Sequence, residues 1–425
     1  MNEHFLQFFW KHYSKTRNHL RLTDGTRIEV YDPGEWNFES GPDFSAATIR
    51  IGDTRWVGNV EIHLKASDWY KHHHQHDPAY QNIILHVVGQ YDKPVYSDTG
   101  RQIPTLELKV PRKLWQTYES LLQERHTIKC SEHLGRIDSF KFNFWMGRMA
   151  IERLEAKSNL LEHFLIETRN DWEASLYRLF ARSFGQKSNS MPFEMLARNL
   201  PLSIIAKHRN RRFQLEALIF GQAGLLQAEW FGDDYFQKLR AEYLYHKHKY
   251  QLKSLPGYLW KFSGTRPSSF PNIRLAQWIR FLESQPHLLP FTLEFEPTQM
   301  NQLRKELQLD EYWENHYRFN KISLQKGKAP GTDWAHHFII NAIAPALYHY
   351  GKTFQQTEMQ EKAIAMLEKL KPENNQIIRA WNKKGQHPKN ALNTQAYIHL
   401  YQQYCSKSHC LQCQIGNEII RLPSR

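Results

Sequence analysis

Cysteine is scarce in this chain, with only four among 425 residues, at positions 130, 405, 410 and 413. A supply that small excludes a fold stapled by several disulfides. No apolar run approaches the roughly 20 residues needed to span a bilayer. The start, Met1-Asn2-Glu3-His4, lacks the basic-then-apolar order of a secretory signal, so a cytoplasmic protein with no membrane partner is expected. Acidic residues are in deficit, 43 against 56 Lys and Arg, and the formal charge is +13. An excess of that sign suits a polyanionic partner, DNA or RNA, because each phosphate neutralised by a cation releases counterions. A fixed-period repeat is also missing, which excludes a solenoid. The remainder is 41% hydrophobic with 13 Trp, in a chain long enough for two or three domains around sizeable cores. Oligomeric state is not legible from it.

The most informative stretch is Gly41-Pro42-Asp43-Phe44, followed eighteen positions after the aspartate by Val60-Glu61-Ile62-His63. Strand alternation puts Glu61, His63 and Lys65 on one face and Val60, Ile62 and Leu64 on the other. The segment 44–51 reads as a hairpin partner through the turn Gly52-Asp53, which sets Asp43 beside Glu61. Two adjacent carboxylates repel unless a cation or a shared proton lies between them, which points to Mg2+ or Mn2+.

The surrounding order is a helix over 3–13, a strand over 26–31, the two strands just described, a helix from Ser67-Asp68 to about Asn82, and an apolar strand over 83–88. With Pro-Asp heading one strand and Glu-x-His on the next, this α-β-β-β-α-β order resembles the PD-(D/E)XK phosphodiesterase core of many nucleases. That resemblance implies a metal-dependent nuclease, with Asp43 and Glu61 as metal ligands and the Ile62 carbonyl as a third. The lysine that activates water in that superfamily is replaced by His63, and Lys65 is the nearest cation on the same face. Glu3 is the acidic residue the first helix offers. His76-x-x-x-Tyr80 has the spacing of a glutamine and tyrosine pair found in some recombination nucleases. Over its whole length, the string Gly-Pro-Asp-Phe, Val-Glu-Ile-His, Asp68-Trp69, His72 to His76, Asp77, Tyr80 and Leu85-His86-Val87-Val88 also resembles an uncharacterised bacterial family with a cysteine-bearing tail. No activity is implied by that second likeness.

His72, His73, His74 and His76 fall within five positions. On a helix, His72, His76 and Tyr80 share a face, so a zinc hydrolase built on a histidine helix is the rival to a carboxylate-held Mg2+. His86, inside an apolar strand, reads as a core histidine. The tail spacing C-x4-C-x2-C, with Cys130 as a fourth thiol, reads as a structural metal site for zinc or a [4Fe-4S] cluster, His409 being an alternative fourth zinc ligand. A similar layout of one upstream and three C-terminal cysteines occurs in certain iron-sulfur nucleases of the same superfamily.

Beyond Cys130 the pattern is helical almost throughout, so the expected architecture is a nuclease-like domain over 1–128, with an added hairpin between 94–96 and 105–110, and an all-α region over 129–425. Candidate nucleic-acid contacts in that region are Lys207, Arg209, Arg211 and Arg212, then Arg266 and Arg274 in a Pro-rich loop. A catalytically silent nucleic-acid-binding or scaffold protein is the alternative from another class. Lys326 and Lys328, flanking Gly327 before a helix start, offer a further anion site.

Overall fold

The computed structural model describes residues 1–16, 19–124, 126–227, 233–323 and 328–422. The chain is mixed α/β with a large helical part and divides into two compact units, Met1–Trp145 with Tyr401–Arg425, and Met146–Leu400. The first unit therefore extends past the boundary expected at 128 and takes the chain end back. Two polar ties hold that end: Lys129 Nζ donates to Ser408 Oγ at 2.9 Å, and Lys141 Nζ to Glu418 Oε2 at 2.8 Å.

The first unit opens with α1 (Glu3–Tyr13), capped by Asn2, whose Oδ1 accepts from Phe5 N at 3.0 Å. Seven strands follow: β1 (Leu20–Arg21), β2 (Arg27–Asp32), β3 (Glu35–Trp36), β4 (Phe44–Ile51), β5 (Thr54–Lys65), β6 (Ile83–Gln90) and β7 (Thr105–Glu107). They form one sheet in the order β1-β2-β4-β5-β6-β7, with β3 pairing β4. β2, β4 and β5 run antiparallel in sequence; β6 is parallel to β5, and β7 to β6. The β4–β5 hairpin closes through Gly52-Asp53, where Gly52 takes φ 57, the positive value a two-residue loop demands. One core packs Leu6, Phe9 and Trp10 of α1 against Phe44, Ile49, Val60, Ile62, Leu85 and Val87. A smaller one gathers Ala66, Trp69, Ile83, Val88, Val95 and Ile103.

Two expectations fail here. The helix anticipated from Asp68 to Asn82 stops after one turn, α2 (Asp68–Lys71), and gives way to short 3-10 turns at His74–His76 and Pro78–Tyr80. His73 at φ 60 breaks the helix, and Asp77 caps a new turn that starts with Pro78. The added hairpin also differs. Its arms meet nearer the tip, with Ile103 N donating to Val95 O and Ser97 N to Arg101 O, each at 2.9 Å, while β7 leaves to join β6 in parallel.

After α3 (Arg112–Gln123), a long helix α4 (Ser139–Glu167) carries the chain into the second unit. That unit is built of helices, among them Trp172–Phe184, Gln186–Asn199, Leu202–His208, Arg212–Gln222, Asp234–Tyr250, Pro271–Ser284, Thr357–Lys369, Gln376–Asn382 and Ala391–Leu400. A single helix anticipated over 192–206 is split at Pro201, which has no N–H to continue the ladder. Thr332–Phe338 passes through a π turn, Ile339–Ile343, before Ala344–Thr353, where Pro345 likewise removes a donor. A short antiparallel pair, His316–Arg318 with Lys321–Ile322, interrupts the all-helical pattern. Among the described residues no helix is long and apolar enough to cross a membrane.

Gly58 on β5 lets this strand approach the entry to β6. A Cβ there would stand 2.5 Å from Ile84 Cγ2 and 2.9 Å from the Asn82 carbonyl oxygen. Gly58→Ala is expected to lower unfolding stability by about 1–3 kcal/mol through overpacking. Urea denaturation measures this, and an unchanged midpoint would contradict the close approach.

Candidate metal centre

Asp43 precedes β4, and Glu61 and His63 lie on β5. Between Phe44↔Val60 and Ala47↔Gly58 the ladder slips by one residue, with Ala46 at φ 54, so β4 bulges just where it delivers Asp43. The two carboxylates then lock reciprocally. Asp43 N donates to Glu61 Oε2 at 3.1 Å, and Ile62 N donates to Asp43 Oδ2 at 3.0 Å. From α1, Gln7 Nε2 donates to Asp43 Oδ1 at 2.7 Å. Gln7 is buried and is not among the residues the sequence pattern singles out, though it is the one polar residue in the run Phe5–Trp10.

The opposite side of Glu61 is walled by imidazoles. Glu61 Oε1 lies 3.6 Å from His63 Nε2 and 3.3 Å from His74 Nε2. His63 Nε2 is 3.1 Å from His72 Nδ1, and His63 Nδ1 is 2.8 Å from His86 Nε2. One nitrogen from each of His63, His72 and His74 falls within 4.8 Å of the others. His74 Nε2 is buried without a hydrogen bond. Tyr80 stacks on the His74 ring at 3.9 Å and fixes its plane, and Trp69 meets it edge-on at 5.4 Å.

Burial governs the protonation of this cluster. It pushes Glu61 up to about 8, against the relief from the Asp43 N–H, with the Glu3 charge adding to the rise. Asp43 is pushed up to about 7 by burial and then by Glu61. Glu3, half-buried on α1, is raised by burial and by Asp43, with His72 acting oppositely, so a third carboxylate faces the same place. His63 is driven well down by burial and the neighbouring imidazoles, and His86, fully buried behind it, likewise. Neutral imidazoles with lone pairs, beside carboxylates that resist ionising, make a donor set that a divalent cation would satisfy.

Not every anticipated residue joins in. Lys65 is exposed, with its backbone N bonded to Asp68 Oδ2 at 3.0 Å. His76 is exposed and outside the trio; with the helix broken, His74 comes inward in its place. Ile62, anticipated through its carbonyl and not its side chain, buries that side chain in the apolar core while its N–H donates to Asp43 Oδ2, so the backbone there does border the site. Tyr80 touches the site through its ring face on His74.

Of the basic candidates, Lys207, Arg211 and Arg266 are exposed and Arg209 is half-buried. Arg212 is held by Glu283, with Nε 2.9 Å from Oε1 and 3.1 Å from Oε2. Arg274 does not lie in a loop: it is 6% exposed inside Pro271–Ser284 and bonded to Gln277 and Ser269, so it is not free to hold a phosphate. Lys328 is likewise buried, donating to the carbonyls of Trp313, Glu314 and His316 at 2.9 Å each, while Lys326 and Gly327 lie outside the described residues.

Cys130, Cys405, Cys410 and Cys413 line one small cavity with Lys129, Tyr404 and Gly416. His409 faces a different pocket, with His4, Trp36 and Tyr118.

Fold and site together define a mixed α/β unit that presents a carboxylate and imidazole cluster at a β-bulge, joined in sequence to a helical unit. The chain belongs to the family described as "Protein of unknown function (DUF2851)", matched over residues 3–376, a span that includes the whole cluster and Cys130 and ends before the other three cysteines. Neither the curated proteins nor the solved structures give a match.

Glu61→Gln tests the electrostatics directly, since the amide keeps an acceptor for Asp43 N and offers a donor to an imidazole. The wild-type carboxyl is raised from 4.5 to about 8 in the folded chain, so its burial destabilises increasingly as pH rises through that window. With chelator present, Glu61→Gln should melt above wild type at pH 8 and level with it near pH 4.5, and added Mn2+ should reverse the order. A melting difference independent of pH would rule out the buried-charge explanation.

Proposed function

We propose that the first unit is a metal-dependent phosphodiesterase acting on nucleic acid. The observation that carries this reading is the reciprocal lock of Asp43 and Glu61, two carboxylates held side by side in a buried site where both resist ionising. The strand order supports the likeness to the PD-(D/E)XK core: three antiparallel strands, a helical crossover, and a fourth strand parallel to the third. The excess of basic residues supplies the sign needed to attract a polyanion.

Asp43 and Glu61 would hold the cation, with His63, His72 and His74 within reach as nitrogen donors. That mixed oxygen and nitrogen set favours Mn2+ over Mg2+, because imidazole is a poor ligand for the harder ion. A divalent cation there would acidify a bound water and neutralise phosphate charge. His63, where the superfamily has lysine, is neutral; its Nδ1 meets His86, and its Nε2 lies near both His72 Nδ1 and Glu61 Oε1, so Nε2 is the atom turned toward the carboxylate side. The permanent charge that a lysine would bring would have to come from Lys65, exposed two positions beyond His63 on β5.

A second reading, a zinc hydrolase, is favoured by the histidine trio itself. The two separate by mutation. Under the carboxylate reading Asp43→Ala and Glu61→Ala each reduce Mn2+-dependent cleavage about 100-fold or more with circular dichroism unchanged. Under the zinc reading His72→Ala and His74→Ala abolish metal binding while Asp43→Ala spares it. Wild-type protein that cleaves no form of DNA or RNA with Mn2+, Mg2+ or Zn2+ would defeat the phosphodiesterase reading, and one that binds no zinc would defeat the zinc reading. Salt-sensitive binding indifferent to Asp43→Ala and to chelator would then identify a silent binding protein.

Nucleic-acid contact by the helical unit would rest on its exposed cations. Removing Lys207, Arg211 or Arg266 should each flatten the slope of log affinity against log salt by about one where that residue meets a phosphate, whereas Arg274→Ala should act on stability instead. Fluorescence anisotropy across a salt series measures the slopes.

A further inference from the structure

We propose that Cys130, Cys405, Cys410 and Cys413 together bind a [4Fe-4S] cluster that fastens the chain end to the first unit. These are all the cysteines the chain has, and the fold brings every one to the same cavity although Cys130 and Cys405 are far apart in sequence. Chance would scatter four thiols among two units; here all four belong to one.

Each sulfur is placed by its own element. Cys130 precedes the 3-10 turn Ser131–Arg136 and is 8% exposed. Cys405 ends the π-helical turn Tyr401–Cys405, a widened geometry often kept where a side chain must be aimed. Cys413 stands at the N-cap position of the helix Gln414–Arg421, where the helix N-terminus favours a thiolate. Gly416 permits the packing: a Cβ there would stand 2.2 Å from the Cys410 carbonyl oxygen. Lys129, tied to Leu122 O and Ser408 Oγ at 2.9 Å each, lies beside Cys410 and offsets negative charge.

Spacing favours the cluster over a single zinc ion. Four thiolates around one zinc ion at about 2.3 Å stand roughly 3.8 Å apart. Among the described residues, the histidine trio is the group of three donors found within 4.8 Å of one another; no three of the four sulfurs come that close. A cubane carries one thiolate on each of its four irons and so needs the wider arrangement. Cys130 and Cys413 are buried and Cys405 and Cys410 half-buried, so the four sulfurs converge on a site largely closed to solvent.

The consequence reaches the candidate metal centre. Ser408, His409, Leu411 and Gln412, the loop between the tail cysteines, form one wall of a pocket whose other wall is His4, Trp36 and Tyr118. His4 Nδ1 lies 3.0 Å from Gln7 Oε1, and Gln7 holds Asp43. The cluster thereby supports a surface leading to Asp43, whatever chemistry that residue performs.

The test uses the full-length chain purified without oxygen. Iron and acid-labile sulfide should each approach about four per chain, with the broad visible absorption of thiolate-bound iron that bleaches on dithionite reduction. Cys130→Ser and Cys410→Ser should each lose most of the iron and sulfide while far-ultraviolet circular dichroism stays at the wild-type level. About one zinc per chain without labile sulfide would overturn the cluster in favour of a zinc clamp. Metal-free protein whose four thiols alkylate readily, or Cys130→Ser with a full complement of iron, would overturn the four-thiolate site. None of these readouts involves hydrolysis, so the outcome stands apart from the phosphodiesterase reading.

Discussion

Two backbone N–H groups hold the first unit's polar centre in place, Asp43 N on Glu61 and Ile62 N on Asp43. Each carboxylate is anchored by the strand that bears the other, so neither side chain can swing away without breaking the pair at the head of β4. The bulge between Phe44 and Ala47 is the geometric condition for this lock, because it turns the strand end until Asp43 sits beside Glu61. Gln7 closes the remaining oxygen of Asp43 from α1, which places the first helix in the same network. These donors only partly offset burial, and both carboxyls stay raised. A fold that arranges two carboxyls so firmly while burial raises both carries a local penalty, the kind of conflict on which the proposed metal site rests.

Periodicity makes much of this fold legible in the amino-acid sequence. The strands 44–51 and 83–88, the Gly52-Asp53 turn and helices such as Trp172–Phe184 and Gln376–Asn382 follow from apolar spacing and turn chemistry, which act over a few residues. The histidine segment defeats the same reasoning for a reason that is also local. Propensity favours continuation of α2, yet the buried Trp69 fixes the first turn, His73 adopts φ 60, and Pro78 demands a fresh start. As a result the histidines that gather with His63 are His72 and His74, two apart, where a helix would have paired His72 with His76. Gln7 is invisible to such patterns because its partner lies 36 positions away, and nothing local in a helix reports which buried polar residue meets a distant carboxylate.

Charge is the least transferable signal. The sequence offers a large basic excess, but folding engages part of it internally: Arg212 on Glu283, Arg274 on Gln277 and Ser269, Lys328 on three carbonyls. A buried cation bonded to neutral acceptors contributes to specifying the fold and little to long-range attraction at the surface. Of the candidates the sequence offers, Lys207, Arg211 and Arg266 remain exposed where a polyanion could meet them.

The chain order sets a separate problem, because the helical unit Met146–Leu400 is inserted between two parts of the first unit. The first unit cannot be complete until the last residues return, and closing so long a loop carries an entropic penalty. That penalty grows only logarithmically with loop length, by about 0.6 kcal/mol per doubling, so the insertion is tolerable if something at the junction holds. Hydrogen bonds such as Lys129 to Ser408 and Lys141 to Glu418 are partly exposed and individually weak. Four thiols converging from both sides of the insertion are of a different order, since ligation that exists only in the folded chain adds its binding free energy to folding. The scarcity of cysteine then acquires a physical sense under the proposed cluster: with no other thiol in the chain, none would compete for its ligand positions at the point where the two ends of the first unit meet.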